Sequence, residues 1–128
     1  MEYHISTTVG GTFEEIILRV KDELEKEGFG VLTEIDIKNT LENKLDVDFR
    51  KYTILGACNP GYAHNALMTE DKVGTMLPCN VIVQEKEDGK IEVAAVNPKA
   101  SMMAIENPKL EQLAADVTQK LKNVIDVL

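Results

Sequence analysis

Two short segments contain both cysteines of this chain, and each cysteine is followed by an asparagine. The first segment, ILGACNPGYAHNAL, contains Cys58 and Asn59, and the second, MLPCNVIV, contains Cys79 and Asn80. Thiolates act as nucleophiles, metal ligands and redox groups, and asparagine amides both donate and accept hydrogen bonds. The two segments predict a split site, formed where neighbouring strand ends bring the pairs side by side.

The first pair lies at a predicted helix start. Asn59 suits the N-cap position, and Pro60 suits the first helical position because its missing N–H has no partner there in any case. The amides and dipole of a helix N-terminus favour negative charge, so a thiolate at Cys58 or a small anionic ligand would be stabilised there. His64 lies about one turn further along this helix, and we expect it to face the same place.

The same residues also have a purely structural interpretation. Cysteine is often a small buried hydrophobe, and a second Asn-Pro helix start, at Asn107 and Pro108, has no cysteine. A metal site is disfavoured, because the chain has two cysteines and two histidines and no Cys-x-x-Cys or His-x-x-x-His pair. Reversible disulfide formation requires close geometry between the strands. The residue patterns identify neither a cofactor nor a metal, so both are unknown from the sequence.

Hydrophobic periodicity and turn residues place these segments among alternating strands and helices. A capping-box spacing at Thr12 and Glu15 opens the first helix, and Gly28 ends it. The Asp88-Gly89 pair predicts a tight turn between the last two strands. The predicted order is strand 3–9, helix 12–28, strand 29–37, short helix 37–45, strand 51–58, helix 60–71, strand 78–86, strand 90–96, loop 99–106 and helix 107–128.

This order mixes helices and hairpins without a regular βαβ alternation. It favours an α+β fold with a mainly antiparallel sheet covered by helices. Within strand 29–37, alternation predicts Phe29, Val31, Thr33 and Ile35 on one face. The length of 128 residues predicts a single domain over residues 1–128.

Charge and hydropathy disfavour several classes of partner. The net charge is −8, with 22 acidic and 14 basic residues, whereas nucleic acids and anionic membranes are recognised mainly by Lys and Arg. The N-terminus has no signal-peptide pattern, and no apolar stretch reaches the ~18 residues that span a bilayer. We therefore expect a cytoplasmic protein with free thiols and with neither a nucleic-acid nor a membrane partner.

The segments YTILGACNPGYAHNAL and MLPCNVIVQE, together with FGVLTEIDIKNTLENKL and TFEEIILRVKDELEKEG, resemble the domain-of-unknown-function-302 family of bacteria and archaea. The resemblance covers nearly the whole chain. It implies a β-α-β4-α domain, similar in outline to half of the TATA-binding-protein saddle, and a homodimer. It implies no established reaction, and the outline alone does not imply DNA binding.

Three functions are consistent with these patterns, and the first is preferred. It is a homodimeric small-ligand-binding or thiol-responsive module. The residues predicted to form its site are Cys58, Asn59, Pro60, His64, Cys79 and Asn80. The second is a cysteine-dependent enzyme, which requires Cys58 and His64 within hydrogen-bond reach. The third is a structural or interaction protein without an active site, in which the asparagines satisfy backbone groups at strand ends.

Overall fold

Five strands form one sheet in the computed structural model, which describes residues 1–128. The strands are β1 His4–Val9, β2 Gly30–Asp36, β3 Tyr52–Cys58, β4 Cys79–Glu85 and β5 Ile91–Val96. Their order across the sheet is β1-β5-β4-β3-β2, and every neighbouring pair is antiparallel. The predicted α+β fold with an antiparallel sheet is confirmed.

Two long helices cover one face of this sheet. The helices are α1 Phe13–Lys26, α2 Ile37–Leu45, α3 Pro60–Thr69, α4 Pro98–Ser101 and α5 Glu111–Asp126, with 3-10 turns at Asp71–Met76, Met102–Ala104 and Pro108–Leu110. The two longest, α1 and α5, are amphipathic and place their apolar faces on the sheet. None of the helices is long and apolar enough to cross a membrane.

The main hydrophobic core lies between the sheet and the helices α1 and α5. It alternates along the strands, as expected for a sheet with one covered face. Its buried members are Ile16, Ile17, Val20, Leu24, Phe29, Leu55, Ala57, Cys79, Val81, Val83, Ile91, Val93, Ala95, Val117, Leu121, Val124 and Ile125. A smaller cluster beside it consists of Ala66, Val73, Met102, Leu110 and Ala114.

The predicted start and end of the first helix and the predicted turn at Gly89 are confirmed. The N–H of Glu15 donates to Thr12 Oγ1 at 3.2 Å at the start of α1. Gly28 follows this helix with a φ of +88°, and Gly89 has a φ of +81° in the turn between β4 and β5. Both glycines occupy left-handed backbone conformations that residues with a Cβ adopt only with strain.

The strand β2 departs from the predicted alternation. Its pairing with β3 is interrupted by a bulge between Val31 and Thr33, which leaves Leu32 without a partner. Phe29 and Val31 contact the main core, whereas Thr33 and Ile35 lie on the opposite face. The prediction that these four residues share one face is therefore wrong, because one extra residue reverses the alternation.

The segment after β5 is also more regular than predicted. Asn97-Pro98 starts the short helix α4, and Asn97 Oδ1 accepts a hydrogen bond from the N–H of Lys99 at 3.1 Å. The predicted loop 99–106 is therefore wrong where α4 and the 3-10 turn Met102–Ala104 run through it. The helix α3 ends at Thr69, two residues earlier than predicted, and the chain continues as a 3-10 turn.

Candidate functional site

The register of β3 and β4 brings the two cysteines to one end of neighbouring strands. Ala57 is the direct partner of Cys79, so Cys58 is one residue beyond that pair. Both cysteines are free thiols, and both line a cavity of about 290 Å³. The cavity lies between the ends of these strands and the helix α3.

The wall of this cavity is almost entirely apolar. Its residues are Leu32, Ala57, Cys58, Asn59, Tyr62, Ala63, Ala66, Leu67, Leu77, Pro78, Cys79, Met102, Leu113 and Val117. None of them is charged, and besides the thiols the polar side-chain groups are the Asn59 amide and the Tyr62 hydroxyl. Val117 belongs to the main core and Met102 to the smaller cluster, so the cavity occupies the seam between the two.

Two leucines mark the mouth of the cavity. Leu32, the bulged residue of β2, is 68% exposed, and Leu67 of α3 is 43% exposed. A bulge re-aims a side chain, and bulges are over-represented beside active sites. Regular alternation along β2 would place Leu32 on the face opposite Val31. The bulge instead turns the Leu32 side chain toward the cavity.

Cys79 is a buried thiol that resists ionisation. It is 9% exposed, and burial raises its pKa from 9.0 to about 11, with a smaller contribution from neighbouring Cys58. Because the thiolate is the reactive form, Cys79 is a poor nucleophile at neutral pH. Cys58 is half-buried and is therefore the thiol that reagents and ligands reach more easily.

Asn59 holds the first cysteine segment in place by an unexpected bond. It occupies the N-cap position of α3, yet its side chain makes no cap hydrogen bond. Its Nδ2 instead donates to the backbone carbonyl of Glu27 at 3.2 Å. At the other two Asn-Pro helix starts, Oδ1 of Asn97 and of Asn107 does accept from the helix backbone. Asn59 thus ties the start of α3 to the end of α1.

The other predicted site residues have different places. His64 is exposed on α3 and is not part of the cavity wall, so the structure does not bring it to the space that Cys58 lines. Asn80 is exposed and lines a groove on the opposite face of the sheet. This follows from strand geometry, because successive residues of β4 point to opposite faces. Pro60 begins α3 beside the cavity without lining it.

Of the residues that line the cavity, the sequence predicted only Cys58, Asn59 and Cys79 as site residues. Ala63, Ala66 and Leu67 are three and four residues apart on α3, which is a helical spacing that could have revealed this apolar stripe. Leu32 and Met102 had no such signal, because their positions depend on the bulge and on the packing of a distant turn.

No set of metal ligands accompanies the cysteines. Nowhere in the molecule do three or more His, Cys, Asp or Glu side chains come together in a way that could hold a metal ion. Structural zinc needs about four such ligands in tetrahedral geometry. The groups that the cavity wall offers are the two thiols, one amide, one hydroxyl and apolar surface.

The face of the sheet turned away from α1 and α5 carries a groove of about 540 Å³. Ile82 and Ala94 line this groove as direct cross-strand neighbours, and Ile54 is the partner of Ile82 on β3, so the three form a row on this face. A polar chain borders this row: Arg50 Nε donates to Gln84 Oε1 at 2.8 Å, and Gln84 Nε2 donates to Glu92 Oε1 at 2.8 Å. This open face is apolar at its centre and polar at its border.

The fold and the cavity define a small α+β protein with one helix-covered sheet and an apolar cavity at the ends of two strands. Residues 5–128 match the family described as domain of unknown function DUF302, and the chain belongs to this family. The resemblance inferred from the cysteine segments is thereby confirmed.

The chain is also similar to two individual proteins, one with a solved structure and one known from its sequence. It is similar to a crystal structure of an uncharacterized conserved DUF302 protein from Bacillus stearothermophilus, with a TM-score of 0.92, 30% identity and 98% of each chain covered. It is 27% identical over 88 residues to an uncharacterized protein of Aquifex aeolicus (strain VF5), which is 69% of this chain and 55% of that relative. The chain thus matches about half the length of this curated relative. Both relatives are uncharacterized, so they bring the fold and no activity.

Proposed function

We propose that this protein is a small-ligand-binding module whose ligand occupies the cavity beside Cys58 and Cys79. The cavity itself carries the proposal. The cavity has about 290 Å³, opens between exposed leucines and is lined almost entirely by apolar side chains. Largely apolar pockets with a few placed polar groups are the usual form of small-molecule sites.

The two thiols have different roles in this proposal. Cys58 is half-buried in the wall, so a bound ligand covers it, and any group added to its sulfur occupies space that the ligand needs. Ligand binding then responds to modification of this thiol. Cys79 is protonated and buried, and it contributes apolar surface.

Native mass spectrometry under reducing conditions tests the proposal directly. The native mass of freshly purified protein is compared with its denatured mass, for the wild type and two variants of α3. Ala63→Leu fills part of the cavity, and Asn65→Leu adds the same side chain at an exposed position outside it. We expect an extra mass in the wild type and in Asn65→Leu that is lost on denaturation and is absent from Ala63→Leu. An unoccupied wild-type protein, or equal occupancy in all three proteins, would contradict the proposal.

We further propose that a second copy of this chain covers the open face of the sheet. Ile35 is 45% exposed beside the row of Ile54 and Ile82, and such apolar centres with polar borders are typical of interfaces. Strands ~4.8 Å apart and ~20 Å long give this face a plane on the order of 500 Å². The accessible area of this face exceeds the area of the plane, because side chains project from it. It therefore approaches the ~800 Å² that each partner buries in a standard interface.

Sedimentation equilibrium tests the dimer. We expect the wild type to sediment at twice the chain mass of 14.2 kDa. Ile82→Lys places a charge at the centre of the open face and should give a monomer. Leu18→Lys introduces the same charge at an exposed position of α1 and should leave the dimer intact. A wild-type monomer, or a dimeric Ile82→Lys protein, would contradict this proposal.

We also propose that the protein is a single domain, is cytoplasmic and has neither a nucleic-acid nor a membrane partner. A single domain over residues 1–128 is supported by α5, which contributes Val117 to the main core and Ala114 to the smaller cluster. A cytoplasmic location is supported by two free thiols, which suit a reducing compartment. The net charge of −8 supports the absence of nucleic-acid and membrane partners.

A further inference from the structure

We infer that the ligand of this cavity is a neutral aliphatic group of about eight to ten carbons, which enters with its hydrocarbon end first. This inference rests on the proposed function and names the chemical class of its ligand. It follows from the charge of the wall, the volume of the cavity and the residues at its mouth.

The wall excludes charged ligand groups from the interior. No Lys, Arg, His, Asp or Glu lines the cavity, so a buried carboxylate, phosphate or ammonium would have no counter-charge. Burying an unpaired charge is strongly unfavourable. The polar side-chain groups in the wall are the Asn59 amide, the Tyr62 hydroxyl and the two thiols, and burial raises the pKa of the Cys79 thiol to about 11. A ligand that matches this wall is neutral over the part that enters.

The volume sets the size of the ligand. One water molecule accounts for ~30 Å³ of liquid, and a methylene group needs about as much, so the cavity holds about eight to ten carbons. This uses the cavity volume of about 290 Å³. Shorter chains leave part of the apolar wall uncovered, and longer chains must extend past the mouth into water.

The mouth sets the orientation. Leu32 and Leu67 are exposed there, and a chain passing between them covers apolar surface that faces water in the free protein. The deeper wall, at Ala57 and Val117, belongs to the main core and offers only apolar contacts. A hydroxyl or ester end of the ligand therefore stays near the mouth, where water satisfies its hydrogen bonds.

Methyl NMR titration with a series of straight-chain alcohols tests the inference. Butan-1-ol, hexan-1-ol, octan-1-ol, decan-1-ol and tetradecan-1-ol are added to protein labelled at the Leu, Met, Ala, Ile and Val methyl groups. We expect shifts at Met102 and Leu32 and none of comparable size at Ile82 of the open face. The Kd should fall at least about tenfold from butan-1-ol to octan-1-ol and stop falling beyond decan-1-ol.

Matched variants complete the test. Ala63→Leu should raise the Kd for octan-1-ol about tenfold or more, whereas Asn65→Leu should change it less than about twofold. Leu32→Ser should raise it about threefold or more, and because Leu32 is largely exposed this variant serves if Ala63→Leu does not fold. Octanoate should bind no tighter than octan-1-ol, since the wall has no cation for its carboxylate.

Several outcomes overturn the inference. These are an absence of shifts at Met102 and Leu32 with every alcohol, an affinity that rises steadily to tetradecan-1-ol, or octanoate binding about tenfold tighter than octan-1-ol. If native mass spectrometry still shows an adduct that Ala63→Leu removes, the inference has failed and the proposed function stands. If the wild-type protein carries no adduct in native mass spectrometry and binds none of the alcohols, both the inference and the proposed function have failed.

Discussion

The two Cys-Asn segments are alike in sequence and differ in what the fold does with them. At Cys58 and Asn59, both residues line one cavity. At Cys79 and Asn80, only the cysteine does, and the asparagine lies on the opposite face of the sheet. The first segment is the end of a strand, where the chain turns into α3, whereas the second begins a strand that continues for seven residues.

This difference shows how backbone geometry decides which residues of a repeated motif share a site. Along a strand, neighbours alternate between faces, so an adjacent pair cannot serve the same space. Where the strand ends and a helix begins, two consecutive side chains can turn to one side. The predicted split site is thus asymmetric, with one complete pair and one lone cysteine.

The largest expected contrast is in thiol reactivity. At pH 8 only about one Cys79 thiol in a thousand is ionised, given its pKa of about 11, and the residue is buried. We expect Cys58 to react with iodoacetamide at least about 100-fold faster than Cys79 in the folded protein, and the two to become similar in urea. Peptide mass spectrometry of timed samples measures both rates. Equal alkylation rates of Cys58 and Cys79 in the folded protein would contradict the expected difference between the two thiols.

The pH dependence of stability sharpens the same contrast. The pKa of Cys79 is raised in the folded state, so its contribution is fully present below pH 9.0 and is lost as pH rises toward about 11. The loss amounts to about 3 kcal/mol at most, since each pKa unit corresponds to ~1.4 kcal/mol. Urea unfolding between pH 8 and pH 11 should show a steeper decline for the wild type than for Cys79→Ala.

Cys58→Ala is the control for this pH experiment. Burial is the main cause of the raised pKa of Cys79, and the neighbouring thiol is the smaller one. Cys58→Ala should therefore retain most of the decline in stability above pH 9.0. Parallel curves for the wild type and Cys79→Ala would contradict the assignment.

Two strand glycines test the packing opposite each segment. Gly56 is the partner of Asn80, and Gly30 is the partner of Cys58. A Cβ at Gly56 would overlap Thr33 Oγ1 and lie 2.9 Å from Pro78 Cγ, whereas at Gly30 nothing lies within 4 Å. Gly56→Ala should cost about 1–3 kcal/mol of unfolding free energy, and Gly30→Ala should cost little. Chemical denaturation measures both, and equal values would contradict the close packing of Thr33 and Pro78 against Gly56.

The smallest contrast is between the asparagines. Asn59→Ala removes the hydrogen bond to the Glu27 carbonyl and should cost about 1 kcal/mol of unfolding free energy. Asn80 is exposed, and Asn80→Ala should stay within about 0.5 kcal/mol of the wild type. The two variants are compared by urea denaturation at one pH. A larger cost at Asn80 would reverse the ranking of the two segments.

Local signals made much of the fold predictable from the sequence. Thr12, Gly28, Gly89 and Pro60 mark helix and turn boundaries through their own backbone chemistry, and the structure uses each of them as expected. The amphipathic face of α5 likewise follows from spacing alone. These features need no knowledge of distant residues.

The cavity could be predicted only in part, because its parts meet through tertiary contacts. The side chain of Asn59 chooses between its own helix and the Glu27 carbonyl, and that choice depends on how closely α1 approaches. Leu32 reaches the mouth only because the β2–β3 pairing contains a bulge. His64 seemed close to Cys58 along the chain, but the side chains of α3 that face the cavity are those of Ala63, Ala66 and Leu67.

Ligand protection of Cys58 tests the central claim most directly, because it asks whether the thiol and the ligand share one space. The rate of Cys58 alkylation by iodoacetamide is measured with and without saturating octan-1-ol, and in Asn65→Leu as a matched control. The account predicts that the alcohol slows alkylation about tenfold or more in both proteins. An unchanged rate under conditions where NMR shows the alcohol bound would place the ligand elsewhere and contradict the account.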